Sequence, residues 1–180
     1  MNFCRLRFNL YLLPAALLAL VTGCSSMNLF HHEKEQVGIL RIHVESESSA
    51  AGANKSISVL RSQPVEVNIA TDPILTEADV LSARLLGGPG GFSVELKFEE
   101  TAGWRLEQYS ATNPGKHLAI FAQWSDKLAD GRWLAAPIMQ RRMAGGVLTF
   151  SADASHEEME TWVKALNALA KKNADNAGSK

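Results

Sequence analysis

The sequence predicts an α+β fold: a small mixed or antiparallel sheet with two main helices packed on one face, preceded by short N-terminal strands. Three observations carry this. Segments in which apolar and polar residues alternate recur along the chain, most clearly where Phe92, Val94, Leu96 and Phe98 are interleaved with Ser93, Glu95 and Lys97. Two longer segments, residues 99–113 and 155–172, instead space their apolar residues three and four apart. Clusters of Gly, Pro and Asn punctuate the order. A period of two belongs to a strand with one wet face, and a period near 3.6 to a helix with one.

The first strand covers residues 37–45. Leu40, Ile42 and Val44 alternate with Arg41 and His43, which puts His43 on the exposed side. Small polar residues 46–55 form a loop. Two further strands, residues 57–61 and 65–70, flank Gln63-Pro64. Thr76 with Asp79 three residues on marks a helix start of one or two turns, because a hydroxyl caps free amides and an acid suits the positive end. Residues 81–86 fit either an extension of that helix or a strand, and Gly87-Gly88-Pro89-Gly90-Gly91 stops both. This glycine-rich stretch lacks the Lys-Ser/Thr ending of a phosphate loop and leads into a strand, so it reads as a hairpin turn.

In residues 99–113 a stripe of Ala102, Leu106, Tyr109 and Asn113 forms, with Trp104 beside it, and Asn113-Pro114-Gly115 ends the helix. A strand follows with Leu118, Ile120, Ala122 and Trp124 on one face, then a polar loop and a returning strand over residues 131–139. Pro137 has no N–H to give a ladder, which assigns that strand to an edge or a bulge. Residues 143–150 supply a turn and a short last strand. Ser155 and Glu158 form a capping box for the final helix, whose core stripe is Met159, Trp162, Val163, Leu166, Leu169 and Ala170. Acids at its start and Lys171-Lys172 at its end both complement the helix dipole. Trp162 is expected to be buried, and at least one of Trp104, Trp124 and Trp133 partly exposed.

The compartment is read from residues 1–24. Arg5 and Arg7 precede an apolar run from Leu10 to Val21, interrupted by Pro14, in the layout of a secretion signal. A membrane span needs about 20 apolar residues, and this run is shorter. Val21-Thr22-Gly23-Cys24 resembles the lipobox of bacterial lipoproteins. That resemblance implies cleavage between Gly23 and Cys24, with diacylglycerol on the Cys24 thiol and an acyl chain, such as palmitate, on its amino group. Each buried CH₂ contributes about 0.8 kcal/mol, so several chains anchor stably. Ser25 after the cysteine, in place of Asp, implies the outer membrane facing the periplasm rather than the inner membrane. The cut removes Cys4 too, leaving one lipidated cysteine, hence no internal disulfide and no free thiol for catalysis or metal. It also removes Arg5 and Arg7, which leaves 16 basic against 19 acidic residues and no basic block. Nucleic-acid binding is excluded on that balance. The expected organisation is a signal peptide at 1–23, a lipidated tether at 24–36, an N-terminal strand segment at 37–71, a main domain at 72–172 and a disordered tail at 173–180. His31-His32 in the tether lacks further fixed ligands and is not read as a metal site.

Several local motifs are familiar in their order: Leu75-Thr76-Glu77 with Asp79 and Ala83; Phe98 followed by Gly103; Asn113-Pro114-Gly115-Lys116 running into Leu118-Ala119-Ile120; Ala136-Pro137-Ile138; Gly145-Gly146; and Leu166-Asn167. Together, over about residues 72–170, they resemble the head subdomain of the first periplasmic region (P1) of SecD/SecDF protein-export subunits. The resemblance implies an α+β head that holds polypeptide, with a partner in the envelope and a link to the Sec machinery. The chain departs from that family in lacking its transmembrane bundle, in a longer loop at residues 125–131, and in Ser151-Ala152-Asp153 before the last helix. The motor role of those subunits is therefore not carried over.

No nucleophile elbow of the G-x-S-x-G kind precedes a helix. His117 begins a strand, His156 lies in the first turn of the last helix as a solvated residue, Glu99-Glu100 mark a helix start and Asp153 reads as cap or turn chemistry. The expectation is a non-enzymatic protein without a small-molecule cofactor, binding polypeptide or an envelope protein. Its candidate binding edge is Trp133, Pro137, Met139, Arg141 and Arg142, since an edge strand accepts an extended peptide. The alternatives are a structural adaptor of an envelope complex and an unrecognised hydrolase.

Overall fold

The computed structural model describes residues 37–47, 54–88, 90–125 and 130–177, all within the unit Gln36–Lys180. The signal peptide, Cys24 and the tether lie outside the described residues. The strands are β1 (Ile39–Val44), β2 (Asn54–Val59), β3 (Val65–Ala70), β4 (Leu75–Thr76), β5 (Val80–Gly88), β6 (Gly91–Phe98), β7 (Leu118–Gln123), β8 (Gly131–Ala135) and β9 (Val147–Phe150). Among the described residues the helices are α1 (Glu100–Thr112) and α2 (His156–Ala177), with 3₁₀ turns at Glu77–Asp79 and Ala144–Gly146.

Among the described residues all pairings are antiparallel, in three groups: a sheet ordered β4-β1-β7-β8, a sheet ordered β5-β6-β9, and the ribbon β2-β3. The α+β class with antiparallel strands and two helices stands, but the strands do not form one small sheet. Alternation identifies strands without naming their partners. β1 pairs along its whole length with β7, through Ile42↔Ile120, although 78 positions separate those residues. It is therefore an inner strand of the four-stranded sheet and not part of a segment standing ahead of residue 72.

This insertion explains two further differences. Leu40 and Ile42 are fully buried, as their alternation requires. His43, on the other side of β1, is buried as well, because the β2-β3 ribbon covers it. Its Nδ1 lies 2.9 Å from the Ala70 carbonyl oxygen, and its ring meets Trp133 edge-on at 5.5 Å. β7 is likewise buried on both sides, with Leu118, Ile120 and Ala122 in the main core and Ala119 in a small cluster with Ile57, Val59, Val67 and Ile69.

Residues 81–86 resolve as strand. β5 and β6 close through Gly88↔Gly91, so the glycine-rich stretch is the hairpin turn expected. The Thr76–Asp79 signal is a capping box on a single 3₁₀ turn. The Ser155–Glu158 box is formed in both directions, at 3.2 and 2.7 Å.

α2 buries Met159, Trp162, Val163, Ala165 and Leu166, while Leu169 and Ala170 are half-buried. Trp162 is fully buried and its Nε1–H donates to the Ile39 carbonyl at 3.0 Å, so a large apolar body enters the core without a stranded polar group. The helix continues to Ala177, past Lys172, because extending a nucleated helix adds one hydrogen bond per residue fixed. α1 buries Ala102, Gly103, Leu106 and Ser110; Tyr109, expected in its core stripe, is instead 37% exposed. Among the described residues no helix is long and apolar enough to cross a membrane.

Candidate functional site

The expected binding edge does not assemble as a surface. β8 is an edge strand, as Pro137 suggested, yet its outer side is engaged: the Leu134 carbonyl accepts the Asp153 N–H at 2.8 Å. Trp133 is half-buried, with ring contacts to His43 and Phe121. Pro137 is half-buried and its carbonyl accepts the Leu118 N–H at 2.9 Å. Met139 is fully buried, hydrogen-bonded through its backbone to Gly115 and Lys116. Arg141 and Arg142 are exposed, and Arg142 forms an ion pair with Glu107 on α1. Alternation extended past Pro137 misplaces Met139, because the strand ends at Ala135 and the following residues pack back under the turn after α1.

What the fold brings together instead is a groove beside Trp104. On α1, Glu100, Gly103, Trp104 and Glu107 follow the spacing i, i+3, i+4, i+7 and share one stripe, next to the buried one. Gly103 brings this stripe against the turn before β9: a Cβ there would stand 2.9 Å from the Gly146 Cα. Gly145 and Gly146 have φ of +83° and +65°, a left-handed pair that only glycine adopts without strain. From the sheet side comes Leu81. The β5-β6 register slips between Val80 and Ser82, so Leu81 is the extra residue of a bulge, turned outward and 44% exposed. Bulges commonly re-aim one side chain in this way.

The resulting groove is about 400 Å³, with Phe98, Gly103, Gly145 and Gly146 among its lining, Leu81 and Trp104 as its exposed apolar residues, and Lys97, Glu99, Glu100 and Glu107 as its charged ones. Trp104 is 63% exposed, the most exposed large apolar side chain among the described residues. On its other flank lies a shallower hollow with Glu107, Gln108, Ala111 and Arg142. Arg142 is thus the one residue of the expected edge that joins this site. The α1 spacing could have been read from sequence; the bulge at Leu81 could not, since it depends on pairing.

The remaining residues weighed for chemistry have structural partners. His117 donates its backbone N–H to Glu45 Oε2 at 2.9 Å, and its Nδ1 lies 2.7 Å from the same oxygen. Burial pushes the Glu45 carboxyl up, but these two bonds outweigh it and hold its pKa below the ordinary value. Asp153 does more than cap: it accepts the Arg61 backbone N–H at 2.7 Å and its guanidinium at 3.2 Å, and the Arg61 side chain lowers its pKa. Leu60, just before Arg61, takes a φ of +70°, a strained conformation for leucine. His156 is exposed, in edge contact with Phe92 at 5.3 Å.

The motifs noted in the sequence meet in pairs. Asn167 donates to the Ala83 carbonyl at 2.8 Å and accepts its N–H at 2.9 Å, acting as a strand partner at the edge of β5. Gly103 meets Gly146. The turn at 113–116 bonds residues 137–139. Glu77 accepts the Leu40 N–H at 3.1 Å and pairs with Arg41.

These features define a class: an α+β domain with a SecDF head-like fold. The likeness extends to solved structures. A structure of SecDF, described as a membrane component that enhances protein export, is 22% identical with a TM-score of 0.52 over 74% of this chain and 64% of that one. A crystal structure of SecDF in a super-membrane-facing form is 22% identical with a TM-score of 0.53 over 74% of this chain and 19% of that one. The chain thus spans under two thirds of either SecDF chain, and the likeness is one of fold. No protein-family model and no curated protein matches it.

Proposed function

We propose that this chain is a non-catalytic, polypeptide-binding module of the bacterial envelope, held by lipid at Cys24 on the periplasmic face of the outer membrane and working in a context related to protein export. The observation that carries the binding role is the Trp104 groove. A largely exposed indole and an outward-turned leucine line one groove with charged residues around them, an arrangement that can take the side chains of an extended segment. The SecDF head-like fold supports the export context by analogy, and the Val21–Cys24 pattern supports the anchor.

The test is photo-crosslinking in cells from a reactive residue at Trp104, with the buried Met139 as the silent control. Many different polypeptides captured from position 104 is the expected result. One stoichiometric partner would replace this reading by an adaptor role, and no capture would remove it. The anchor is checked separately. Radiolabelled palmitate is expected to enter the wild-type chain, and Cys24→Ala to release it from membranes; an unlabelled chain, or a variant that stays bound, overturns that part.

A further inference from the structure

The groove is not neutral. Its charged residues are three carboxylates, Glu99, Glu100 and Glu107, against one ammonium, Lys97. Arg142 neutralises Glu107 on the far flank of Trp104. Glu99 and Glu100 are exposed at the start of α1 and have no ion-pair partner among the described residues. The Trp104 indole and the bulged Leu81 line the same groove as these acids, and an indole face attracts a cation as well as an aliphatic chain. The protein uses the same chemistry internally, where the Arg132 guanidinium lies 4.7 Å from the Trp124 ring. Lys97 comes from the end of β6 and the two acids from the start of α1, so the acids outnumber the ammonium at that end of the groove.

We infer that the groove takes extended apolar segments that carry a lysine or arginine, the apolar part against Leu81 and Trp104 and the cation at Glu99 and Glu100. This rests on the polypeptide-binding reading above and adds a selectivity to it. A neutral segment fills the apolar part alone. An acidic one meets two carboxylates that form no ion pair among the described residues.

The experiment uses the full-length chain in detergent micelles and three fluorescent eleven-residue peptides of Leu, Phe, Ser and Gly, identical except for Lys, Gln or Glu at one central position. Binding is followed by anisotropy. The Lys peptide should bind about fivefold or more tightly than the Glu peptide at low salt, with the Gln peptide between, as expected for exposed ion pairs acting together. Glu99→Gln/Glu100→Gln should bring the three together, and Glu99→Lys/Glu100→Lys should reverse their order. Trp104→Ala should weaken all three. Equal binding of the three peptides, still weakened by Trp104→Ala, overturns the selectivity and leaves the polypeptide-binding reading intact. Selectivity that survives both double substitutions places the cation elsewhere and overturns the inference. Binding of none of them overturns both readings.

Discussion

Around Trp162 the core is sealed by a large set of apolar side chains and by the non-titrating ties of Trp162 and Asn167, whereas the β2-β3 ribbon lies on the sheet through a smaller apolar cluster together with groups that titrate. The Trp162 indole N–H on Ile39 and the Asn167 amide on Ala83 keep their hydrogen bonds at any ordinary pH. The ribbon packs its apolar residues on Ala119 and accepts the Ser46 N–H at Asn68, and it is tied further by the buried His43 ring on Ala70 and by the Arg61–Asp153 pair. Two regions of one chain thus differ in what opens them. Stability within a domain is not uniform, and the region with fewer buried apolar contacts opens first.

The largest effect that can test this contrast comes from the main core. Trp162→Ala removes its largest fully buried side chain and leaves the Ile39 carbonyl without its donor. Urea unfolding followed by circular dichroism should show a loss of about 3–5 kcal/mol, the usual range for deleting a buried aromatic. A loss near 1 kcal/mol would mean that the two regions are of comparable weight and would break the comparison.

The next effect lies in the ribbon and depends on pH. Burial holds the His43 pKa below the ordinary 6.5; the Ala70 carbonyl and Asp72 oppose the shift, and Arg41 and Lys55 reinforce it. As pH falls, the unfolded chain takes up that proton first. The ribbon's stability from this source is full above 6.5 and is lost as pH drops from 6.5 toward the lowered folded value. Asp153, also lowered, gives way in a separate window, below its ordinary 3.8. Hydrogen-exchange protection factors in β2 and β3 should therefore fall between pH 7.5 and pH 5 while those of α2 hold, and His43→Leu should flatten the change. Parallel loss in ribbon and helix would show that the chain opens as one.

The same contrast separates what could be read in the sequence from what could not. The helical turn starting at Thr76, the capping box at Ser155–Glu158, the hairpin at the glycine-rich stretch and the burial of Trp162 were all legible, because each is decided within a few residues of chain or by a strong helical period. His43 was not. Alternation places it opposite Leu40 and Ile42, which is correct, but whether the opposite face meets water depends on a ribbon that covers it from residues 54–70. Met139 failed for a related reason: a strand pattern carried past Pro137 ignores the turn at 113–116 that buries it. Of the candidate site, Trp104 was legible as a tryptophan beside a core stripe. Its neighbour Leu81 owes its outward turn to a register slip, and Arg142 reaches the same region through a loop.

The smallest effect sharpens the boundary between the two regions, because the start of α2 touches both. Ser155 Oγ accepts the Glu158 N–H at 3.2 Å, and Glu158 Oε2 accepts the Ser155 N–H at 2.7 Å. The same carboxylate holds Arg132 at 2.9 Å, and Arg132 in turn reaches the Asp153 carbonyl at 3.3 Å, beside the ribbon's Arg61. Burial pushes the Glu158 carboxyl up, yet Arg132 and Ser155 together bring its pKa below the ordinary value. Ser155→Ala removes only the cap and should cost about 1 kcal/mol in urea unfolding. Ribbon protection factors should not change. Glu158→Gln removes the cap's charge and loosens Arg132 as well, so it should lower protection in β2 and β3 in addition to α2. If Ser155→Ala alone loosens the ribbon, the ribbon is fastened through the helix cap and not through His43 and Asp153, and the division between the two regions runs elsewhere.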